Sequence, residues 1–197
     1  MAAGEGAGAG RRADRVSDTP TLTTARLTLR RLTPDDAEAL FPAMSDPEVM
    51  RWWSRGPFAT VEELRGYFAD MRARQRVWAA VRTSGRAAIG FVYIGEKRPG
   101  VGEIGYLFAQ ATWGSGVARE SVEAVVAQMF GEGMRRIFAD IDPEAVASAR
   151  LLERIGFTCE GRLRGEWETH IGVRDTLIYG MLRSEWIERD AAPSGRQ

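Results

Sequence analysis

The chain has 197 residues, 27 basic and 27 acidic, for a formal net charge of +0, with 44% apolar and 27% charged side chains. This is a globular composition long enough for one substantial core, and its neutral balance argues against non-specific binding to nucleic acid or an anionic membrane. A single cysteine, Cys159, excludes an internal disulfide, a single histidine, His170, excludes a His-rich metal site, and no apolar run approaches the roughly 18 residues of a spanning helix, so a metal-independent cytoplasmic protein is expected.

Residues 1–20 are mostly Ala, Gly, Arg and Asp and read as a disordered leader, and 189–197 read as a flexible tail, leaving one domain over 24–188. Arg26-Leu27-Thr28-Leu29-Arg30 alternates as a strand. Thr33-Pro34-Asp35-Asp36 is a helix start, with Pro42 placed to kink or end that helix before Ser45. Asp46-Pro47 starts a short second helix, and Thr60-Val61-Glu62-Glu63 is a capping box ahead of Leu64, Tyr67, Phe68 and Met71.

Trp78–Val81 and Ala88–Ile94 form a hairpin about Ser84-Gly85, and Arg98-Pro99-Gly100 turns into a strand over Glu103–Phe108. A loop over Ala111–Gly116 leads to a helix burying Val122, Val125, Val126, Met129 and Phe130. Ile137–Ile141 is the next strand, Asp142-Pro143 caps a helix that Gly156 stops, and Phe157 to Trp167 alternate as a half-buried strand with Cys159 inside. Val173–Leu182 is the last strand. Hairpins followed by one βαβ crossover predict a mixed α/β sheet of about seven strands flanked by helices.

The chemistry concentrates where Glu103-Ile104-Gly105-Tyr106-Leu107-Phe108 runs into Trp113-Gly114-Ser115-Gly116-Val117-Ala118-Arg119-Glu120. Strand, glycine loop and helix start together make an anion site of backbone amides. A dinucleotide fingerprint fits poorly, because five residues separate Phe108 from Gly114 and the third-glycine position is Arg119. In that reading Asp140 or Asp142 would take the ribose.

From Thr24 to Trp186 the chain resembles the GNAT superfamily of acyl-CoA-dependent N-acetyltransferases, most nearly the branch with the ribosomal-protein-alanine N-acetyltransferases. The resemblance rests on the first strand, Ser45-Asp46-Pro47-Glu48-Val49, Glu103-Ile104-Gly105-Tyr106, Trp113 to Ala118, Ser148-Ala149-Arg150-Leu151-Leu152-Glu153-Arg154-Ile155-Gly156-Phe157 and Arg174-Asp175. It implies a single domain with a central sheet splayed between Tyr106–Phe108 and Ile137–Ile141, and acetyl-CoA as co-substrate without a metal. The pyrophosphate would rest on Gly114, Ser115, Gly116, Val117 and Ala118, with Arg119 nearby for a phosphate. The pantetheine arm would pair with Tyr106, Leu107 and Phe108, and the Leu107 amide would face the thioester oxygen.

The resemblance further implies direct attack by a primary amine, with Glu103 as base and Ser148 near the sulfur as proton donor. Trp52 and Trp53 stand where the family builds its acceptor wall, one of them also suiting the core, and His170 is a loop residue near the acceptor entrance. The acceptor is a protein N-terminal α-amine or a small-molecule amine, and the protein a monomer or homodimer. Two positions depart from the family pattern. Ala111 replaces the usual Arg or Gln before the glycines, and Ala145 replaces the usual Asn before the serine, which keeps open a module that binds acyl-CoA with little turnover.

Overall fold

In the computed structural model, which describes residues 19–191, the first alternating segment is strand β2 (Leu27–Arg31), with Leu27 and Leu29 fully buried. A two-residue strand β1 (Leu22–Thr23) pairs with it. Helices α1 (Asp36–Met44), α2 (Pro47–Met50) and α3 (Val61–Arg74) follow, then β3 (Arg76–Arg82), β4 (Ala88–Arg98) and β5 (Val101–Phe108). Next come α4 (Val117–Gly131), β6 (Arg136–Ile141), α5 (Val146–Ile155), β7 (Thr158–Thr169), β8 (Gly172–Leu182) and α6 (Arg183–Ala191). The leader expected over 1–20 falls almost wholly outside the described residues, as does most of the tail.

The strands form one eight-stranded sheet in the order β1-β2-β3-β4-β5-β6-β8-β7, one strand more than expected because of β1. Only β5 and β6 run parallel, joined through α4. One core cluster packs α4, α5 and Trp186 of α6 against one face of the sheet. The other packs α1, α2 and α3 against the opposite face, where Leu40, Met44, Leu64 and Phe68 meet Phe91.

Several local expectations change, each for a physical reason. Helix α1 starts at Asp36 rather than at Thr33, because the Asp36 carboxylate turns back to accept from the Thr33 N–H (2.8 Å) and from both Arg30 guanidinium nitrogens (2.8 and 2.5 Å). Pro42 does not end that helix, which keeps Ala43 and Met44 buried beyond it. Asp142 does not cap α5. It accepts from the Glu144 N–H at 2.8 Å, and Ala145 begins the helix with no side-chain cap.

Strand β7 is not half-buried. It is the terminal strand, exposed from Thr158 to Glu168, so Cys159 is exposed rather than a buried hydrophobe. Its alternation records the pleat and not a covered face. Helix α6 was not legible in its polar sequence. It extends past 188, with Trp186 against Phe130 and Arg189 bonded to the Ile155 carbonyl and to Glu123.

Burial alone would raise the Asp36 carboxyl, but Arg30 and Thr33 outweigh it and hold the group below its ordinary value. A depressed acid contributes stability that is present above its unfolded value and lost as pH falls through its folded value. Asp36→Asn should therefore destabilise the fold at neutral pH by about 2 kcal/mol, in denaturant titrations. The gap to the unsubstituted protein should close as pH falls below the carboxylate range.

Candidate active site

Around the glycine loop several carbonyls are tied down; the Trp113 and Ser115 amides donate to the Gln110 (2.9 Å) and Thr112 (3.2 Å) carbonyls, while those of Gly114 and Gly116 make no such backbone bond. Thr112 Oγ1 donates to the Ala109 carbonyl (2.7 Å), Ser115 Oγ to that of Thr112 (2.5 Å), Trp113 Nε1 to that of Phe108 (2.9 Å) and Arg26 Nη1 to that of Ser115 (2.9 Å). Gly114 and Gly116 adopt φ of 72° and 81°, the left-handed region open to glycine. Gly116 starts α4 with no side-chain cap, so the first-turn amides of Val117 and Ala118 have no acceptor within the helix and face an exposed loop.

Arg26 sits at the centre of this loop. Glu120 accepts from its Nε (2.7 Å), its backbone N–H (3.0 Å) and Thr24 Oγ1 (2.6 Å), and these bonds hold the Glu120 carboxyl below its ordinary value despite the opposing effect of burial. Arg119 instead points along the helix to Glu123 at 3.1 Å. Ala111, in a short 3-10 turn, is exposed.

Beside the loop the sheet opens. β5 and β6 pair only at Val101–Arg136, Gly102–Ile137 and Glu103–Phe138, so the edge of β5 from Ile104 to Phe108 faces no strand. The Ala109 N–H donates to the Ile89 carbonyl in line with the β4–β5 register. Amide direction alternates along a strand, so Leu107 also points to β4, opposite Phe91, and Tyr106 and Phe108 present their amides at the open edge. Leu107 is therefore corrected as the oxyanion donor: its N–H belongs to the β4–β5 ladder. The Tyr106 side chain crosses to α5, its hydroxyl 2.7 Å from Ser148 Oγ, and burial pushes its phenol well up.

Glu103 lies on the opposite face of the sheet from Tyr106 and Ser148, at the apex of the opening. Its carboxylate is 2.6 Å from Lys97 Nζ and accepts a long bond from the Tyr93 hydroxyl at 3.4 Å. Tyr93 reaches there by lying across Gly105, where a Cβ would come within 2.3 Å of its ring. Burial, then the negative charge of Glu103, push its phenol well above the usual value.

Across the opening, Asp140 accepts from Trp167 Nε1 at 2.8 Å. Burial is the main reason its carboxyl is raised, and the charge of Glu103 adds to it. Trp53 stands edge-on to Tyr93, 6.3 Å between ring centroids, with its indole N–H on the Tyr67 hydroxyl. Trp52 lies between the guanidinium groups of Arg51 (4.6 Å) and Arg174 (5.6 Å), the latter anchored by Asp142 and Glu144. His170, exposed on the β7–β8 turn, comes down beside Gly56, so that turn meets the α2–α3 loop.

Glu103 thus lies at the opening with Trp53 beside its partner Tyr93, while Tyr106 and Ser148 meet on the other face; Trp52 is placed by Arg51 and Arg174 and His170 by Gly56. Sequence reasoning missed Arg26, Tyr93, Lys97 and Trp167 as site residues, and gave Asp140 a role only in the dinucleotide reading. The one signal available was an acid, Asp140, within the otherwise apolar run Ile137–Ile141.

A family model described as acetyltransferase (GNAT) domain matches residues 26–158. The "Uncharacterized N-acetyltransferase p20" of Bacillus licheniformis is 30% identical over 175 residues, covering 84% of this chain and 98% of that protein. The crystal structure of a GNAT-family acetyltransferase from Bacillus anthracis superposes with a TM-score of 0.77 at 26% identity, over 84% of this chain and 99% of that one. Ribosomal-protein-S5-alanine acetyltransferase from Vibrio fischeri (TM-score 0.72, 19% identity, 85% of this chain and 98% of that one) shares the fold. So does spermidine N-acetyltransferase from Vibrio cholerae, solved with CoA and spermine (0.73, 21%, 83% and 99%), and neither likeness selects a branch.

Two outcomes are expected from this geometry. Arg26→Ala releases the Ser115 carbonyl and unpairs Glu120, and should weaken the binding of inorganic pyrophosphate about tenfold in titration calorimetry, the worth of one charge-assisted bond. An acid with a raised carboxyl contributes stability below its unfolded value and loses it as pH rises through the folded one. Asp140→Asn, which keeps an acceptor for Trp167, should therefore raise Tm at neutral pH and not at acid pH.

Proposed function

The chain belongs to the acetyltransferase (GNAT) family, and we propose that it moves an acetyl group from acetyl-CoA to a primary alkylamine by direct attack. One observation carries this reading: the sheet parts just past Glu103, between an uncapped helix N-terminus at Gly116 and a carboxylate at the apex. The free amides of Gly114, Gly116, Val117 and Ala118 suit a pyrophosphate, and the outward amides of Tyr106 and Phe108 suit an extended amide chain laid along β5 as an added strand.

An alkylamine has a pKa near 10.4, so roughly one in a thousand is nucleophilic at neutral pH and a base must take its proton. Glu103 fills that role, within hydrogen-bond reach of a nitrogen at the apex, as its contact with Lys97 illustrates. A strand amide, that of Tyr106 or Phe108 rather than Leu107, stabilises the developing oxyanion. The thiol leaving group resembles cysteine, with a pKa near 8.5, and needs only a weak acid. The Ser148 hydroxyl supplies that proton, hydrogen-bonded to a Tyr106 phenol kept protonated by burial.

On the acceptor side, two carboxylates, Glu103 and Asp140, stand near Trp53 and Trp167, a setting for an ammonium on a hydrocarbon stem. A protein N-terminal α-amine, as in the branch resembled, and a small amine, as with the Vibrio cholerae neighbour and spermine, both present that group. The alternative of an acyl-CoA-binding module draws on Ala145, which leaves the α5 start without a polar side chain.

Thiol release from acetyl-CoA over a panel of N-terminal peptides and small amines tests the proposal. Stabilisation by CoA with no release for any amine selects the module instead. Glu103→Gln should lower kcat by about 10²-fold with KM for acetyl-CoA nearly unchanged. A kcat equal to that of the unsubstituted enzyme at every pH removes Glu103 as the base.

A further inference from the structure

Lys97 is the only lysine in the chain, and it sits where the proposed acceptor would react. Its Nζ is 2.6 Å from Glu103 Oε2, the carboxylate assigned as base, and its side chain is about half exposed (51%) while that of Glu103 is 15% exposed. Its charge also reaches Asp140, opposing the rise in that carboxyl. Every other cationic side chain in the chain apart from His170 is a guanidinium, which stays protonated and is no acceptor at neutral pH.

The route to Lys97 follows from the sheet. The open edge of β5 begins beside the anion loop and ends at the apex where β5 rejoins β6 at Glu103 and Phe138. From Tyr106 to Glu103 is three residues, about 10 Å of strand. An acyl chain held at its phosphate end by the loop and paired along that edge therefore brings its thioester toward Glu103. There an amine already rests against the base, and the fold has already met the entropic demand of bringing the two reactants together.

We propose that Lys97 is an acetylation site of the enzyme itself, its ε-amine taking the acetyl group from acetyl-CoA bound in the same molecule. The inference rests on the acetyl-CoA reading of the site. The lysine ammonium gives one proton to Glu103 as its nitrogen forms a bond to the acetyl carbonyl carbon. Collapse of the adduct breaks the carbon–sulfur bond and releases the second nitrogen proton. The products are the amide, CoA thiol and one net proton, and no other reactant is consumed. Acetylated Lys97 is neutral and no longer pairs with Glu103, which leaves Glu103 and Asp140 to an external ammonium.

The test is acetylation of the full chain with acetyl-CoA, read by peptide mass spectrometry, with thermal stability followed in the same samples. One acetyl group is expected on the peptide that contains Lys97, suppressed about tenfold or more by excess CoA and by Glu103→Gln, and absent from that peptide in Lys97→Arg. The competition by CoA decides the matter even where Glu103→Gln does not fold. If acetyl-CoA stabilises the protein and Lys97 stays unmodified, the proposal is overturned while the CoA site stands. Modification as fast in heat-unfolded protein as in folded protein overturns it equally, since that is chemical acetylation. If acetyl-CoA gives neither stabilisation nor thiol release with any amine, the proposed function fails and this inference with it.

Discussion

The parting of β5 from β6 after three paired residues is the constraint on which the rest of the site depends. Each strand can afford to lose its neighbour because each is fully paired on its other side, β5 with β4 from Arg98 to Gly90 and β6 with β8 from Leu182 to Leu177. The facing edges of β5 past Glu103 and of β6 past Phe138 are left without a strand, and the β5 groups are the ones the proposed function assigns to recognition. The opening also keeps Glu103 and Asp140, both on the face toward α1, from being closed over by a continuous sheet. On the other face it leaves room for Tyr106 to reach Ser148. Closing the strands would satisfy the ladder and remove both faces of the site together.

The glycine loop shows why net charge is a poor guide to whether a small polyanion can be held. The chain sums to +0, yet the loop offers amides whose partial charges never enter that count. Arginine still matters there, but indirectly. Arg26 draws the Ser115 carbonyl aside and neutralises Glu120, an acid that would otherwise oppose an anion at the start of α4. Arg119, nearer in sequence, is engaged by Glu123 one turn on.

The local half of the structure was legible. The Thr60 cap, the stop at Gly156, the glycine loop and the apolar face of α4 all depend on residues within a few positions of one another and form as read, except that the Glu63 half of the capping box accepts from the Ala59 N–H rather than that of Thr60. What was missed depends on partners far along the chain. Arg26 and Glu120 are 94 residues apart, and Asp142 forgoes its helix for Arg174. The direction of the Leu107 amide follows from the register of the β4–β5 ladder, which no residue identity encodes. Strand β7 has the same alternation as a half-buried strand, and only its place at the end of the sheet leaves Cys159, Leu163 and Trp167 in solvent.

The acceptor side carries an electrostatic tension that the fold does not resolve internally. Asp140 is disfavoured as an anion by burial and by Glu103, and Tyr93 is pressed between Gly105 and the same carboxylate. Packing of this kind persists where the surrounding structure enforces it, and it is relieved by whatever positive charge arrives. In the resting protein that charge is Lys97, a flexible amine rather than one of the many rigid guanidinium groups. An ammonium is the one common cation that can both settle between two carboxylates and, on losing a proton to one of them, become a nucleophile. The pairing of a carboxylate apex with a lone lysine therefore makes the charge beside Glu103 chemically equivalent to the amine that the proposed function would bring there.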